Sequence, residues 1–282
     1  MEIKLKNKIL HLLFSPLITR NRKFIDRHKG ETCYIFGNGA SLKNMDLTKF
    51  SDHPGIGLNF ICLHKDFPSL NIQYYVLLEP FFLYPYKKNM YDGRNFEPNY
   101  LGRLFKKSFF KSGEVTLFTS ITNIFGIPFK NSYYLHHFGH KKPNIKHLSI
   151  CGDFSFMKGA LYGGVALAVN MGFKKAYLLG CDYLLTPEKH GHFYSFGPST
   201  IGSKKESSIY DDLLGELSSL IDIEIVTDTG FSKQLKSQSY ENFKNSKLFY
   251  RENDQLIGGD YLAALNNAYI NNQLTNRIYP EI

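Results

Sequence analysis

The sequence predicts an α/β fold, a mostly parallel sheet with helices on both of its faces. Three observations point there. Short apolar runs of strand length alternate with stretches of helix length along most of the 282 residues. The runs read as buried strands joined through helices, the βα repeat of a parallel sheet. Glycine or polar residues then follow several of the runs, where such a sheet presents its carboxyl edge to a ligand.

Taken in order, Cys33–Phe36 is a strand, followed by the turn Gly37-Asn38-Gly39-Ala40-Ser41 and a short helix near Leu42–Phe50. Ile56–Phe60, Tyr74–Leu78 and Val115–Phe118 are further buried strands. Residues 84–113 are polar, with several Lys, Gly and Pro, and predict a helix and loops. The small residues Ala160, Ala166 and Ala168 make Gly159–Gly172 a helix packed closely on the sheet. Ala176–Cys181 is a strand ending in Gly180-Cys181-Asp182-Tyr183. A Gly-, Pro-, Ser- and His-rich loop spans about 184–206, then come a helix at Ile209–Ile221, a strand at Ile223–Val226 and a last helix at Tyr261–Leu274. The chain divides into a basic amphipathic segment, 1–30, and one α/β domain, 31–282. Neither an internal repeat nor a low-complexity tract interrupts it.

Composition removes several classes. Hydrophobic content of 43% and charged content of 21% exclude a disordered or fibrous chain. A chain of this length buries roughly three quarters of its unfolded surface, so the core needs neither disulfides nor metals. No apolar run reaches the ~18 residues of a membrane span. Ile9–Ile18 is broken by His11, Ser15 and Pro16 and lacks a small-residue cleavage site, against a signal peptide. Cys33, Cys62, Cys151 and Cys181 show no CxxC spacing and predict free thiols in a reducing, cytoplasmic setting.

The formal charge is +9, and the first thirty residues alone carry +6. Ile9, Leu13 and Leu17 share one helical face, with Leu10 and Phe14 beside them. Such a segment suits an anionic membrane surface; a helix packed on the domain with solvated lysines is the alternative. Nucleic acid is disfavoured, because the aromatics are not interleaved with basic residues.

The first candidate site is Gly37-Asn38-Gly39-Ala40-Ser41-Leu42. Two glycines let backbone approach a ligand, and a helix start offers N–H groups to phosphate; a tight turn with Ser41 as N-cap is the alternative. Leu42 replaces the third glycine of a dinucleotide fingerprint, and no P-loop sequence occurs, so dehydrogenase and P-loop chemistry are disfavoured. Asn59, Glu79 (before Pro80), Asp182 and Tyr183 stand at other strand ends. His136-His137-Phe138-Gly139-His140 reads as a basic surface loop, having no carboxylate or cysteine beside it.

The run Gly37–Leu42, then Asn59, then Gly172-Phe173-Lys174-Lys175-Ala176-Tyr177-Leu178-Leu179-Gly180-Cys181-Asp182-Tyr183 resembles bacterial lipooligosaccharide sialyltransferases of glycosyltransferase family 42. It equally resembles the MptE-like group (domain of unknown function 115), often encoded in surface-polysaccharide clusters. The resemblance spans roughly residues 31–230. It implies a Rossmann-like, glycosyltransferase A-type variant with a mobile lid. It also implies inverting transfer from a CMP-activated acidic sugar, with no cofactor and no metal.

By motif position, Gly37, Asn38, Gly39 and Ser41 would contact the nucleotide and its phosphate, and Asn59 the cytidine or ribose. Gly159 and Ala160 match the start of the family's small-residue helix only loosely. Tyr183 and Tyr194 are nearest to its phosphate tyrosines, Lys158 is a further phosphate candidate, and Glu79 stands where the family has asparagine. A base must take the acceptor's proton, and histidine suits that task. The family's catalytic histidine lies in the lid. His190 and His192 are the candidates here, and His192, preceding Phe193, matches the wider group's His-Phe motif. A His-x-His metal pair and a solvated loop histidine are the alternatives.

The expected function is transfer of a nonulosonic acid (sialic-acid-like) or Kdo from a CMP-sugar to a bacterial surface glycan or glycolipid, in lipopolysaccharide or capsule assembly. The expected location is the inner face of the cytoplasmic membrane, peripherally bound. An ATP- and Mg²⁺-dependent hydroxymethylpterin diphosphokinase and a non-catalytic nucleotide-binding scaffold are the rival readings. The sequence leaves the oligomeric state open.

Overall fold

The structure, a computed structural model, describes residues 12–84, 100–109, 115–126, 130–136, 145–152, 154, 159–195, 200–202 and 209–263. Strands β1 (Thr32–Phe36), β2 (Gly55–Leu58), β3 (Ile72–Leu77), β4 (Thr116–Ser120), β5 (Ser132–Leu135), β6 (Lys175–Leu179), β9 (Asp222–Thr227) and β10 (Lys236–Ser239) form one parallel sheet. Their order is β10-β9-β6-β1-β2-β3-β4-β5. Strands β7 (Glu188–His190) and β8 (Thr200–Gly202) pair separately as an antiparallel hairpin. The helices are α1 (12–19), α2 (Tyr100–Phe109), α3 (Ala160–Asn170), α4 (Ile209–Ser218), α5 (Tyr240–Lys244) and α6 (Asn253–Leu256).

Parallel strands covered on both faces bury every side chain, and β1 does so along Cys33–Phe36. Ile35 lies in register with Ile56 of β2 and Leu178 of β6, and all three join Val165 of α3 and Leu214 of α4 in one core layer. Tyr34 and Phe36 point the other way, into a layer with Phe105 of α2, Phe50 and Tyr240 of α5. Gly164 lets α3 lie close on the sheet, since a Cβ there would stand 3.0 Å from Leu58 Cδ2. The helix stops at Gly172 (φ 79°). The Gly172 and Phe173 amides donate back to the Val169 and Ala168 carbonyls, a left-handed cap suited to glycine.

The predicted strands and long helices stand near their expected bounds, with differences that have local causes. The expected helix near Leu42–Phe50 is two 3₁₀ turns, Ala40–Asn44 and Leu47–Lys49, because the Asp46 carboxylate takes the Thr48 amide and restarts the chain. Strands β5 and β10 were not anticipated. β10 is an edge strand reading Lys-Ser-Gln-Ser, with no apolar run to mark it. The expected last helix is described only over 259–263.

The described part of the amino-terminal segment, residues 12–30, packs on the domain. Ile18, Asn21 and Phe24 are buried, and the Asp26, His28 and Gly30 amides donate to the end of α3 at Asn170, Met171 and Gly172. Leu12 and Leu13 remain exposed, at 72% and 67%. Among the described residues no helix is long and apolar enough to cross a membrane. Cys33, Cys62 and Cys181 are buried free thiols, and Cys151 is half-buried and free.

Candidate active site

The strand order reverses between β1 and β6, because the chain lays β2 to β5 on one side of β1 and returns for β6 on the other. Ligands of open α/β sheets bind outside the carboxyl ends at such a point. Here the two facing loops close on each other. The Gly37 amide donates to the Leu179 carbonyl at 2.7 Å and the Gly39 amide to Gly180 at 2.8 Å. A Cβ on Gly37 would stand 2.5 Å from the Gly180 oxygen, and one on Gly39 would stand 2.5 Å from Asp182 Cγ. The glycines therefore admit the β6 loop, where the sequence suggested close approach by a ligand.

Ser41 differs from expectation in the same way. Its amide donates to Asp182 Oδ2 at 2.7 Å and its hydroxyl to Oδ1 at 2.5 Å. The Gly39 and Ser41 donors are thus spent inside the protein, and Asp182, 3% exposed, braces two loops instead of facing a nucleotide. Burial raises the Asp182 pKa, and the Ser41 hydrogen bonds oppose that rise. Farther along the same 3₁₀ turn, Asn44 Nδ2 donates to Asp228 Oδ2 at 2.6 Å. The other Asp228 oxygen takes the Thr229 amide and pairs with Lys189 Nζ of β7.

The lid begins with β7 and folds directly onto the β1 loop. His192 bridges to Gly39, and the Phe193 amide donates to the Asn38 carbonyl at 2.9 Å. Phe193 is fully buried, edge-on to the His64 ring at 5.1 Å. His192 stacks on Tyr194, with ring centroids 4.8 Å apart. His192 is exposed at the surface of this contact, and partial desolvation of its ring shifts the pKa downward, with the Asn38 main chain opposing. His190 is exposed and 3.8 Å from Glu188. The structure thus brings His192, and not His190, against the β1 loop. Through these contacts the described part of the lid packs on the β1 loop.

Asn38 is 8% exposed, and its Oδ1 is buried without a hydrogen-bond partner among the described residues. Asn59 is half-buried in a left-handed conformation (φ 49°), its carbonyl accepting from the Tyr75 hydroxyl. Phe60 after it meets Tyr194 edge-on at 5.9 Å. Glu79 lies two residues beyond β3, half-buried, and burial raises its pKa. The order β6-β1-β2-β3 sets Asp182, Asn38, Asn59 and Glu79 along one edge. Asp182 and Glu79 follow strands that β1 and β2 separate, and among the described residues no three His, Cys, Asp or Glu side chains cluster closely enough to hold a metal ion. Gly159 and Ala160 open α3 half-buried, Tyr183 is 42% exposed, and Lys158 lies outside the described residues.

His136, which follows β5, is 3% exposed, against the expected surface loop, and its carbonyl accepts from the Phe154 amide; 137–140 lie outside the described residues. Sequence reasoning missed Lys43, Asn44, Lys189, Asp228 and Asn253. Asp228 follows β9 and was open to the strand-end argument that found Asp182. The others gain partners up to 210 residues away, which no local pattern records.

No family model and no curated protein matches this chain. Among solved structures, it is similar to the MAf glycosyltransferase from Magnetospirillum magneticum (TM-score 0.45, 13% identity), over 91% of this chain and 41% of that one. The chain therefore spans less than half the length of that protein. It is also similar to the α-2,3-sialyltransferase Cst-I from Campylobacter jejuni (TM-score 0.45, 16% identity), over 87% of this chain and 96% of that one. CstII from the same organism, solved with cytidine-5′-monophosphate, gives 0.40 and 14% over 85% and 98%. These likenesses concern the path of the chain and assign no residue.

Proposed function

We propose that this chain is an inverting glycosyltransferase that takes a nonulosonic acid or Kdo from a CMP-sugar and passes it to a hydroxyl of a surface glycan or glycolipid. The observation that carries the reading is Asn38. Its buried Oδ1 lacks a partner among the described residues at the strand-order reversal, and its carbonyl holds the turn that bears His192. An amide presents an acceptor and two donors, which match the amino group and ring acceptors of cytosine. Asn59 on the neighbouring strand end is the second nucleotide contact.

In the proposed reaction the bond from the anomeric carbon to the CMP phosphate oxygen breaks. A bond to the acceptor oxygen forms on the opposite face, and His192 takes the acceptor's proton. Tyr194, Tyr183 and Lys158 are the candidates to neutralise the single departing phosphate, with Gly159 and Ala160 beside it and no cofactor or metal required. Glu79, where burial favours the protonated carboxyl, suits a sugar hydroxyl better than a phosphate. No observation favours the diphosphokinase. A thermal-shift series with CMP, CDP, ATP and GTP tests the reading: stabilisation by CMP above the other three is expected, and a response to ATP alone would overturn it. CMP binding with no transfer would leave the scaffold.

The proposed acceptor side is a membrane surface. Leu12 and Leu13 are exposed at the start of α1 and Arg20, Arg22 and Lys23 are exposed beyond its other end, a combination of apolar and basic groups that suits anionic headgroups. Binding to phosphatidylglycerol vesicles should fall steeply between low and physiological salt, and Leu12→Ser with Leu13→Ser should weaken it. Equal partitioning of the variant and wild type would contradict this.

A further inference from the structure

The charged side chain buried deepest near the lid is Lys43, at 1% exposure. Its Nζ donates to the Ser195 carbonyl at 2.6 Å and to Asn253 Oδ1 at 3.0 Å. Asn253, 5% exposed, donates its Nδ2 to the Tyr194 carbonyl at 3.0 Å. Two consecutive carbonyls of the lid are therefore held from beneath by two buried side chains that also hold each other. The turn they grip is closed on itself: the Ser195 amide donates to the His192 carbonyl, and the His192 amide to Ser195 Oγ.

Both grips are anchored. Lys43 lies on the 3₁₀ turn whose Ser41 and Asn44 are bound by Asp182 and Asp228. Asn253 opens α6, which Ile257 ties to His64 and the Arg251 amide ties to the Lys43 carbonyl. On the other side of His192, Lys189 is paired with Asp228. A histidine in a surface loop would otherwise sample many geometries. Here the backbone three residues before it and three after it leads, through buried polar contacts, to one short turn.

We propose that Lys43 and Asn253 form a clamp that fixes the His192–Ser195 turn, making them positioning residues for the transfer reaction. The proposal rests on the glycosyltransferase reading only for its catalytic consequence. A misplacement of about 1 Å at a reacting group costs on the order of 10²-fold in rate. Lys43→Met should therefore lower kcat by about that factor while the donor KM and CMP affinity stay unchanged. Asn253→Ala should act in the same direction and serves if Lys43→Met fails to fold.

A second measurement is independent of activity. Hydrogen exchange at the Phe193 and Ser195 amides should accelerate in either variant, while amides of β1 and β6 keep wild-type protection. Faster exchange with unchanged kcat would overturn the positioning role. Unchanged exchange in both folded variants would overturn the clamp itself. Should wild type prove inactive on every CMP-sugar, the exchange result still decides the clamp, and only the glycosyltransferase reading falls.

Discussion

His192→Ala is expected to lower sugar transfer by roughly 10²–10⁴-fold while leaving CMP affinity nearly intact. The ring stacks on Tyr194, and its residue pairs with Gly39 of the β1 loop through the main chain, a pairing that alanine keeps. A base that acts on the acceptor's proton contributes to the transition state and little to donor binding. Only neutral imidazole can accept that proton. Because desolvation holds the His192 pKa below the ordinary histidine value, the rate should fall only as pH drops through that lowered value and be flat above it. His190→Ala should change neither quantity, because His190 lies beside Glu188 and pairs with Thr200 of β8, whereas His192 pairs with Gly39 of the β1 loop. Wild-type turnover in His192→Ala would move the base elsewhere, with Glu79 next in line.

The second large effect is on stability. Asp182→Ala removes the acceptor of both Ser41 donors, and those donors stay buried. Two orphaned groups cost on the order of 2–4 kcal/mol, less whatever relief follows from no longer burying a carboxylate. In a domain of this size that corresponds to a fall in melting temperature of roughly 5–15 °C. Asp182→Asn, which keeps one acceptor oxygen, should lie between the two. The loss should extend to CMP binding, because the β1 and β6 loops are joined through this contact. A melting temperature equal to wild type in Asp182→Ala would show that the carboxylate does not hold the loops together.

Much of this arrangement is legible in the chain, for reasons that differ between elements. Strands such as Cys33–Phe36 are apolar because both faces of a parallel sheet are covered, so their runs are easily recognised. Edge strand β10 needs no such run and shows none. The strand-end rule located Asn38, Asn59, Glu79 and Asp182, since it concerns topology. It could not tell which of them faces outward. That depends on contacts such as Asp182 meeting Ser41 across 141 residues, while Asn38 Oδ1 is buried without a partner among the described residues. The glycines of the β1 loop were found and given the wrong neighbour for the same reason. Lys43 gave no signal at all, because a lysine in Ala-Ser-Leu-Lys-Asn reads as a solvated surface residue until Ser195 and Asn253 are seen around it.

The central claim is that a cytidine nucleotide occupies the carboxyl edge at Asn38. Calorimetric titration of CMP into wild type, Asn38→Ala and Asn59→Ala tests it most directly. Wild type should bind CMP, and Asn38→Ala should bind it at least about tenfold more weakly, the cost of one lost buried polar contact to the base. Asn59→Ala should weaken it in the same direction. Equal affinity in all three proteins, or no heat of binding for CMP with wild type, would contradict the account.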